Sequence, residues 1–256
     1  MRIATWNINS IRTRVGQTVA WAVANDADVV LLQETKCGDA DFPFEAFTDA
    51  GYEVAHHGVD HWNGVAIASR TGLDDVQRGF HGPQSPPFDE PRIIAATCGD
   101  VRVWSVYVPN GRELDDPHYL YKLVWLERLR AELALAGAAD ARSVVAGDFN
   151  VAPADQDVYD PKRWRRRTHA SPPERDGIRS LLDLGLVDLA RDRHPDTPEF
   201  TWWNYRPGQF DKDHGLRIDL TLVSPAIADA ATAVWVDRDA RAHERPSDHA
   251  PLVLDL

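Results

Sequence analysis

Residues 143–150 read SVVAGDFN, a short apolar run closed by a glycine and two polar side chains. Such a run is too short for most buried helices and rich in β-branched residues, so it reads as a buried strand. Its end, GDFN, allows two readings. Gly and Asx residues dominate turns for backbone reasons alone, so an ordinary strand-to-helix turn accounts for residues 147–150. Alternatively, Asp148 and Asn150 are a carboxylate and an amide held at the rim of a sheet for metal or phosphate chemistry. The deciding question is whether other strands end in the same way.

Six further runs have the same character: RIATWNI, DVVLLQE, NGVAIAS, RVWSVYV, RIDLTLV and APLVLDL. Helical patterns lie between some of them, at residues 12–25, at 117–136 behind Pro117, and from Ser171 onward. In the third, Ser171 and Glu174 stand at capping-box spacing, prolines fill the first turn, and Gly185 marks the stop. The result is a mixed α/β chain. No Gly/Ser-rich or Pro-rich boundary falls between residues 140 and 150, so one domain over residues 1–256 is expected; the Pro-rich stretch 79–92 reads as a loop.

Composition narrows the function classes. No stretch approaches the roughly 18 apolar residues that a membrane span needs, and MRIATWNINS lacks a basic region followed by an apolar signal core, so a cytoplasmic protein is expected. Cys37 and Cys98 have no metal-type spacing and make no disulfide framework. A formal net charge of −12 argues against coating nucleic acid by bulk electrostatics. A local basic face is still allowed: KRWRRR, residues 162–167, gathers cations around Trp164, although a solvated loop with a half-buried Trp explains it equally well.

Polar residues recur at the ends of the apolar runs. They are Asn7 and Asn9, Glu34, Tyr107, Asp148 and Asn150, Asp219, and Asp248 with His249. An ionised side chain in such a place costs several kcal/mol unless it is paired or bound to metal. Carboxylates gathered in space repel one another, which makes a divalent cation the economical explanation. Carboxylate and amide oxygens suit a hard ion, Mg²⁺ or Mn²⁺, better than zinc. Glu34 and Asp248 are then the expected direct ligands with Asn7 close by, while His249 contacts phosphate or moves a proton and Asp219 orients it. With Asp148 activating water and amide and phenol donors holding negative charge, the set suits hydrolysis of a phosphate ester. No Ser/His or Cys/His nucleophile pattern and no P-loop compete with this reading.

At these residues the chain resembles the exonuclease III family of bacterial apurinic/apyrimidinic endonucleases, within the endonuclease/exonuclease/phosphatase superfamily. The resemblance rests on TWNINSIRTR, LLQETK, GYEVAHHG, NGVAIASR, YVPNG, AGDFNVAP, PKRW, SPPERDGIRSLLDLGLVDLAR, FTWWNYR, GLRIDLTLVS and RPSDHAPL, which follow one another over almost the whole chain. It implies a four-layer α/β sandwich, two packed mixed β-sheets flanked by helices, with the site at one end of the sheets. By the same resemblance Glu34 is the principal metal ligand, with Asn7 and Asp248 near it. Asp148 orients or deprotonates the attacking water, and Asn150 contacts the transition state; both are also candidate second-metal ligands. Tyr107 is the active-site tyrosine, and Asp219 partners the catalytic His249. Asn110 contacts phosphate, and Asn9 belongs with the substrate contacts.

The resemblance assigns Trp202, Leu216 and Ile218 to a pocket for a flipped-out abasic sugar, which an apolar pocket suits. Trp203 reads as core. Arg112, Arg206 and the KRWRRR patch become DNA-backbone contacts, which carry no sequence information. Two departures stand out: Ser10 where many relatives have Gly, and Asn204 where the family often has Asp. The implied activity is Mg²⁺-dependent cleavage of duplex DNA 5′ to abasic sites together with 3′→5′ exonuclease and 3′-end processing. The expected partner is DNA, with no membrane and a monomeric protein. A phosphoesterase acting on a small phosphoester and a catalytically silent DNA-binding module are the competing readings. The first needs a pocket without basic flanks, and the second needs a missing core group.

Overall fold

The computed structural model describes residues 1–83 and 87–256; residues 84–86 of the Pro-rich 79–92 stretch lie outside the described residues. Fourteen strands form: β1 Arg2–Asn7, β2 Val29–Gln33, β3 Glu53–His57, β4 Val65–Ser69, β5 Asp74–Arg78, β6 Ile93–Cys98, β7 Val101–Tyr107, β8 Ser143–Asp148, β9 Val187–Asp188, β10 Trp202–Trp203, β11 Gly215–Leu216, β12 Asp219–Val223, β13 Ala233–Val236 and β14 Leu252–Asp255. The α-helices are α1 Ile11–Ala24, α2 Phe44–Thr48, α3 Pro117–Leu135, α4 Pro161–Trp164, α5 Pro172–Leu182, α6 Leu189–Arg193 and α7 Pro225–Ala230. All seven apolar runs of the sequence contain a strand. The three expected helices appear as α1, α3 and α5, with Ser171 and Glu174 forming the capping box.

The strands make two six-stranded sheets, ordered β13-β14-β1-β2-β4-β3 and β5-β6-β7-β8-β12-β9, with β10 and β11 as a separate ribbon. Each large sheet is mixed. Its central pair is parallel, β1 with β2 and β7 with β8, and the other pairings are antiparallel. Strands such as VVLLQ and SVVAGD are buried throughout, which is why they lack polar alternation.

Three apolar layers hold the sheets and helices together. Between the sheets, Ile3, Leu31 and Ile67 meet Ile94, Val103 and Val144. On the outer face of the first sheet, Trp6 packs on Trp21 of α1 with ring centroids 5.6 Å apart. On the outer face of the second, Trp125, Leu126 and Leu129 of α3 pack with Ile178 and Leu181 of α5. The layering is helix, sheet, sheet, helix, the sandwich expected from the sequence. No helix among the described residues is long and apolar enough to cross a membrane.

Candidate active site

Strand register sets the site. In the second sheet Tyr107 of β7 stands opposite Asp148 of β8, which stands opposite Asp219 of β12, so three polar residues from distant parts of the chain form one row across the sheet end. In the first sheet Asn7 pairs with Gln33, placing Glu34 one residue beyond. Face-to-face packing then brings both rows to the same end of the molecule. Gly147 has φ of 150° with the Val106 carbonyl in the space a Cβ would take, so only glycine lets β8 pass that close before Asp148. Glu34, Asn150 and Asn9 all adopt left-handed backbone, at φ of 53°, 53° and 44°. Strained residues of this kind cluster at sites where the surrounding structure over-determines them.

One oxygen each from Glu34 and Asp148 and one nitrogen from His249 lie within 4.8 Å of one another. Asn7 Nδ2 bridges the two acids, donating to Glu34 Oε1 at 2.8 Å and to Asp148 Oδ2 at 2.9 Å. Its Oδ1 accepts the Asn9 backbone N–H at 3.0 Å. Two carboxylates, an amide and an imidazole converging at a sheet end fit a divalent cation. His249 Nδ1 lies 2.8 Å from Asp219 Oδ2, and its Nε2 lies 3.8 Å from Asp148 Oδ2. Burial disfavours the imidazolium, but the charges of Asp219 and Asp148 outweigh it and hold the His249 pKa above its ordinary value. Burial raises the Asp148 pKa, against the pull of His249 and with the repulsion of Asp219 and Glu34. Tyr107, pushed up by burial and by the Glu34 carboxylate that it meets, stays a neutral O–H donor, and Arg92 covers its ring at 4.7 Å.

Asp248 stands apart from the Glu34–Asp148–His249 group. Its carboxylate accepts Trp202 Nε1 at 2.9 Å and Asn9 Nδ2 at 3.0 Å. Burial works against its charge, but His249 and these two donors keep its pKa low. Trp202 thus reaches the site through its N–H while its ring packs with Leu216, Ile218 and Trp164. Leu216 and Ile218 are fully buried, whereas Trp202 and Trp164 are half-exposed members of that apolar cluster. Trp203 is core, as the sequence suggested. Asn110 Nδ2 donates to Asn150 Oδ1 at 3.0 Å. Arg112 and Arg206 are exposed, as are all five cations of the 162–167 patch around a half-buried Trp164, and Arg163, Arg167 and Arg206 share a concavity with Trp202. Ser10 occupies φ of 92°, which explains a preference for glycine there, and Asn204 is exposed with Oδ1 accepting the Arg206 backbone N–H.

Sequence reasoning missed the support beneath the site. Lys122 and Glu174 form a fully buried ion pair. Lys122 Nζ also donates to the Asn150 carbonyl at 2.7 Å, and Glu174 accepts the Thr168 hydroxyl and the His169 N–H, both at 2.8 Å. The pair therefore fixes the loop that follows Asp148. A signal was present: Lys122 falls on the stripe of Tyr119, Trp125, Leu126 and Leu129 that α3 buries. His169 is buried too, with Nε2 3.4 Å from Asn110 Nδ2 and its ring against Trp164. Lys36 was missed as well; its Nζ meets Glu34 Oε2 at 2.6 Å and Asn9 Oδ1 at 2.5 Å.

Known proteins are similar to this chain in sequence and fold. The family model described as the endonuclease/exonuclease/phosphatase family matches residues 4–249. Exodeoxyribonuclease III of Haemophilus influenzae is 34% identical, with 98% of each chain covered. An AP endonuclease structure from Archaeoglobus fulgidus superposes with a TM-score of 0.96 at 37% identity, covering 100% of this chain and 99% of that one. A Neisseria 3′ phosphatase, NExo, solved with product DNA hairpin, does so at 0.96 and 42% identity over the same shares. The chain belongs to the endonuclease/exonuclease/phosphatase family.

Proposed function

We propose that this protein is a Mg²⁺-dependent DNA repair nuclease that hydrolyses phosphodiesters of duplex DNA, cutting 5′ to abasic sites and processing 3′ ends. The observation that carries the reading is the convergence of Glu34, Asp148 and His249 at the shared end of two sheets. Relatives named as an exodeoxyribonuclease, an AP endonuclease and a 3′ phosphatase support the substrate class. Mn²⁺ is the expected substitute, since both ions take hard oxygen donors.

Each residue then has a part in the reaction. Glu34 holds the cation, with Asn7 and Asp148 beside it and Asp248 at the margin, turned toward Asn9 and Trp202; Asp148 and Asn150 are the candidates for a second ion. A bound cation supplies neutralisation of phosphate and leaving-group charge. Asp148 accepts a proton from the attacking water as the water oxygen bonds to phosphorus, the bond from phosphorus to the 3′ oxygen breaks, and that oxygen takes up a proton from solvent. His249, kept cationic by Asp219, together with the neutral Tyr107 hydroxyl and the Asn150 and Asn110 amides, stabilises the phosphoryl oxygens as charge grows. Trp202 over Leu216 and Ile218 forms the seat for the base-less sugar, and Arg112 and Arg206 contact the backbone. We read the chain as one domain, monomeric and cytoplasmic, in keeping with two buried, unpaired cysteines.

The test is an end-labelled duplex carrying one abasic-site analogue, set beside an undamaged duplex, each with Mg²⁺ or EDTA. A single Mg²⁺-dependent cut 5′ to the lesion, with laddering from intact 3′ ends, is the expected result. Folded protein that cleaves neither duplex contradicts the reading and shifts it to a small phosphoester.

A further inference from the structure

Six cations gather without an ion-pair partner among the described residues. Lys162, Arg163, Arg165, Arg166 and Arg167 run along and past α4, and Arg206 follows β10; among the described residues none of the six makes a side-chain ion pair. Arg167 only covers the Trp164 ring, at 5.9 Å. Elsewhere exposed arginines such as Arg12, Arg179 and Arg238 are paired, and the chain as a whole carries a formal charge of −12. Two acids share the concavity with Lys162, Arg163 and Arg165 and are engaged locally. Asp155 pairs with Arg175 at 2.8 Å, and Asp160 accepts the Arg163 backbone N–H at 3.1 Å.

All of these cations except Arg166 line a groove with an aromatic floor. Two concavities, of about 650 and 180 Å³, share Tyr159, Arg163 and His214. The smaller one also touches Trp202, so the groove starts at the margin of the candidate active site and runs outward to α4. Where the two meet, the Tyr159 and His214 rings stack at 4.5 Å with an interplanar angle of 11°. Backbone bonds from Tyr159 to the Gly215 carbonyl and from His214 to the Gln209 carbonyl hold both residues in place. The Trp164 indole N–H in the same wall has no hydrogen-bond partner among the described residues.

A duplex offers such a surface its phosphates but not its base faces, which stay covered by neighbouring pairs. An unpaired nucleotide offers both, and every base has a π-face that an aromatic platform accepts. We propose that this groove binds a single-stranded segment of the DNA substrate, with a base on the Tyr159–His214 stack and phosphates on Arg163, Arg165 and Arg206. The inference rests on the nuclease reading above and extends it to substrates with unpaired ends next to the point of cleavage.

Fluorescence anisotropy of the full chain in EDTA, so that no cleavage occurs, tests it. Labelled duplexes are blunt or carry a five-nucleotide single-stranded extension at the 3′ or the 5′ end. The wild-type protein is expected to bind one of the extended duplexes roughly 10-fold more tightly than the blunt one, the gain of about one stacked base. In His214→Ala the ratio of extended to blunt affinity is expected to fall to about one, and in His214→Phe, which keeps a stacking ring, to persist. Equal affinities in the wild type, or a gain that survives His214→Ala, overturn the groove while leaving the nuclease reading intact. Failure of folded protein to bind any DNA overturns both.

Discussion

His249 owes its charge to Asp219, the partner 2.8 Å from Nδ1. The pKa of His249 is raised in the folded protein, so the imidazolium persists below that raised value and is lost as pH rises through it. Removing the Asp219 carboxylate returns the group toward its ordinary range. Asp219→Asn is therefore expected to lower kcat by about 100-fold, the lower end of what acid–base groups contribute, and to move the alkaline limb of the kcat profile to lower pH. An unmoved limb would leave Asp219 a merely structural residue. Trp202 makes a different prediction because its ring packs over Leu216 and Ile218 while its N–H holds Asp248. Trp202→Ala should slow cleavage at an abasic site roughly 10-fold or more, the scale of one lost apolar pocket contact, and slow cleavage of an ordinary phosphodiester less. Equal losses would place the residue in the core alone.

At the scale of elements, α3 and α5 are tied beneath the site by Lys122 and Glu174, a pair with no exposed surface. Taking away one partner leaves a buried charge uncompensated, so Lys122→Met is expected to cost about 3–5 kcal/mol in urea unfolding, with part recovered in Lys122→Met/Glu174→Leu. A loss under 1 kcal/mol would show that the pair is dispensable. This network also marks where sequence reading stopped. Glu174 was legible as a capping-box residue, but its second bond, to Lys122, joins residues 52 positions apart and has no local signature. Strands were legible where they were buried on both faces, as in VVLLQ and SVVAGD. β5, DDVQR, was not, because it is a largely exposed edge strand, and β6, IIAATC, was not, because alanine carries little β-propensity although the strand is central in packing. Strand-end residues disclosed the candidate site because polar groups beside apolar runs are costly without a purpose. They did not disclose that Glu34, Asp148 and His249 group together while Asp248 turns to Trp202, which depends on how the two sheets face each other.

His56 is buried between Thr35 and Phe42, and burial pushes its pKa down to about 4 against the pull of Asp39. The unfolded chain takes up this proton near pH 6.5, before the folded one does, so the His56 contribution is constant above 6.5 and falls as pH drops from 6.5 to 4. The loss from His56 is about 3 kcal/mol. Chemical unfolding at several pH values should show that slope flattened in His56→Gln, and an identical slope would contradict the assignment. The carboxylates and the histidine at the shared sheet end are proposed to make the chain a metal-dependent hydrolase of DNA. Single-turnover cleavage of an end-labelled abasic duplex by the wild-type protein and by Asp148→Asn, with Mg²⁺ or EDTA, tests it most directly. Cutting is expected only with Mg²⁺, at least roughly 100-fold slower in the variant, at unchanged affinity for the duplex. Near-wild-type cleavage by Asp148→Asn, or undiminished cleavage in EDTA, would contradict it.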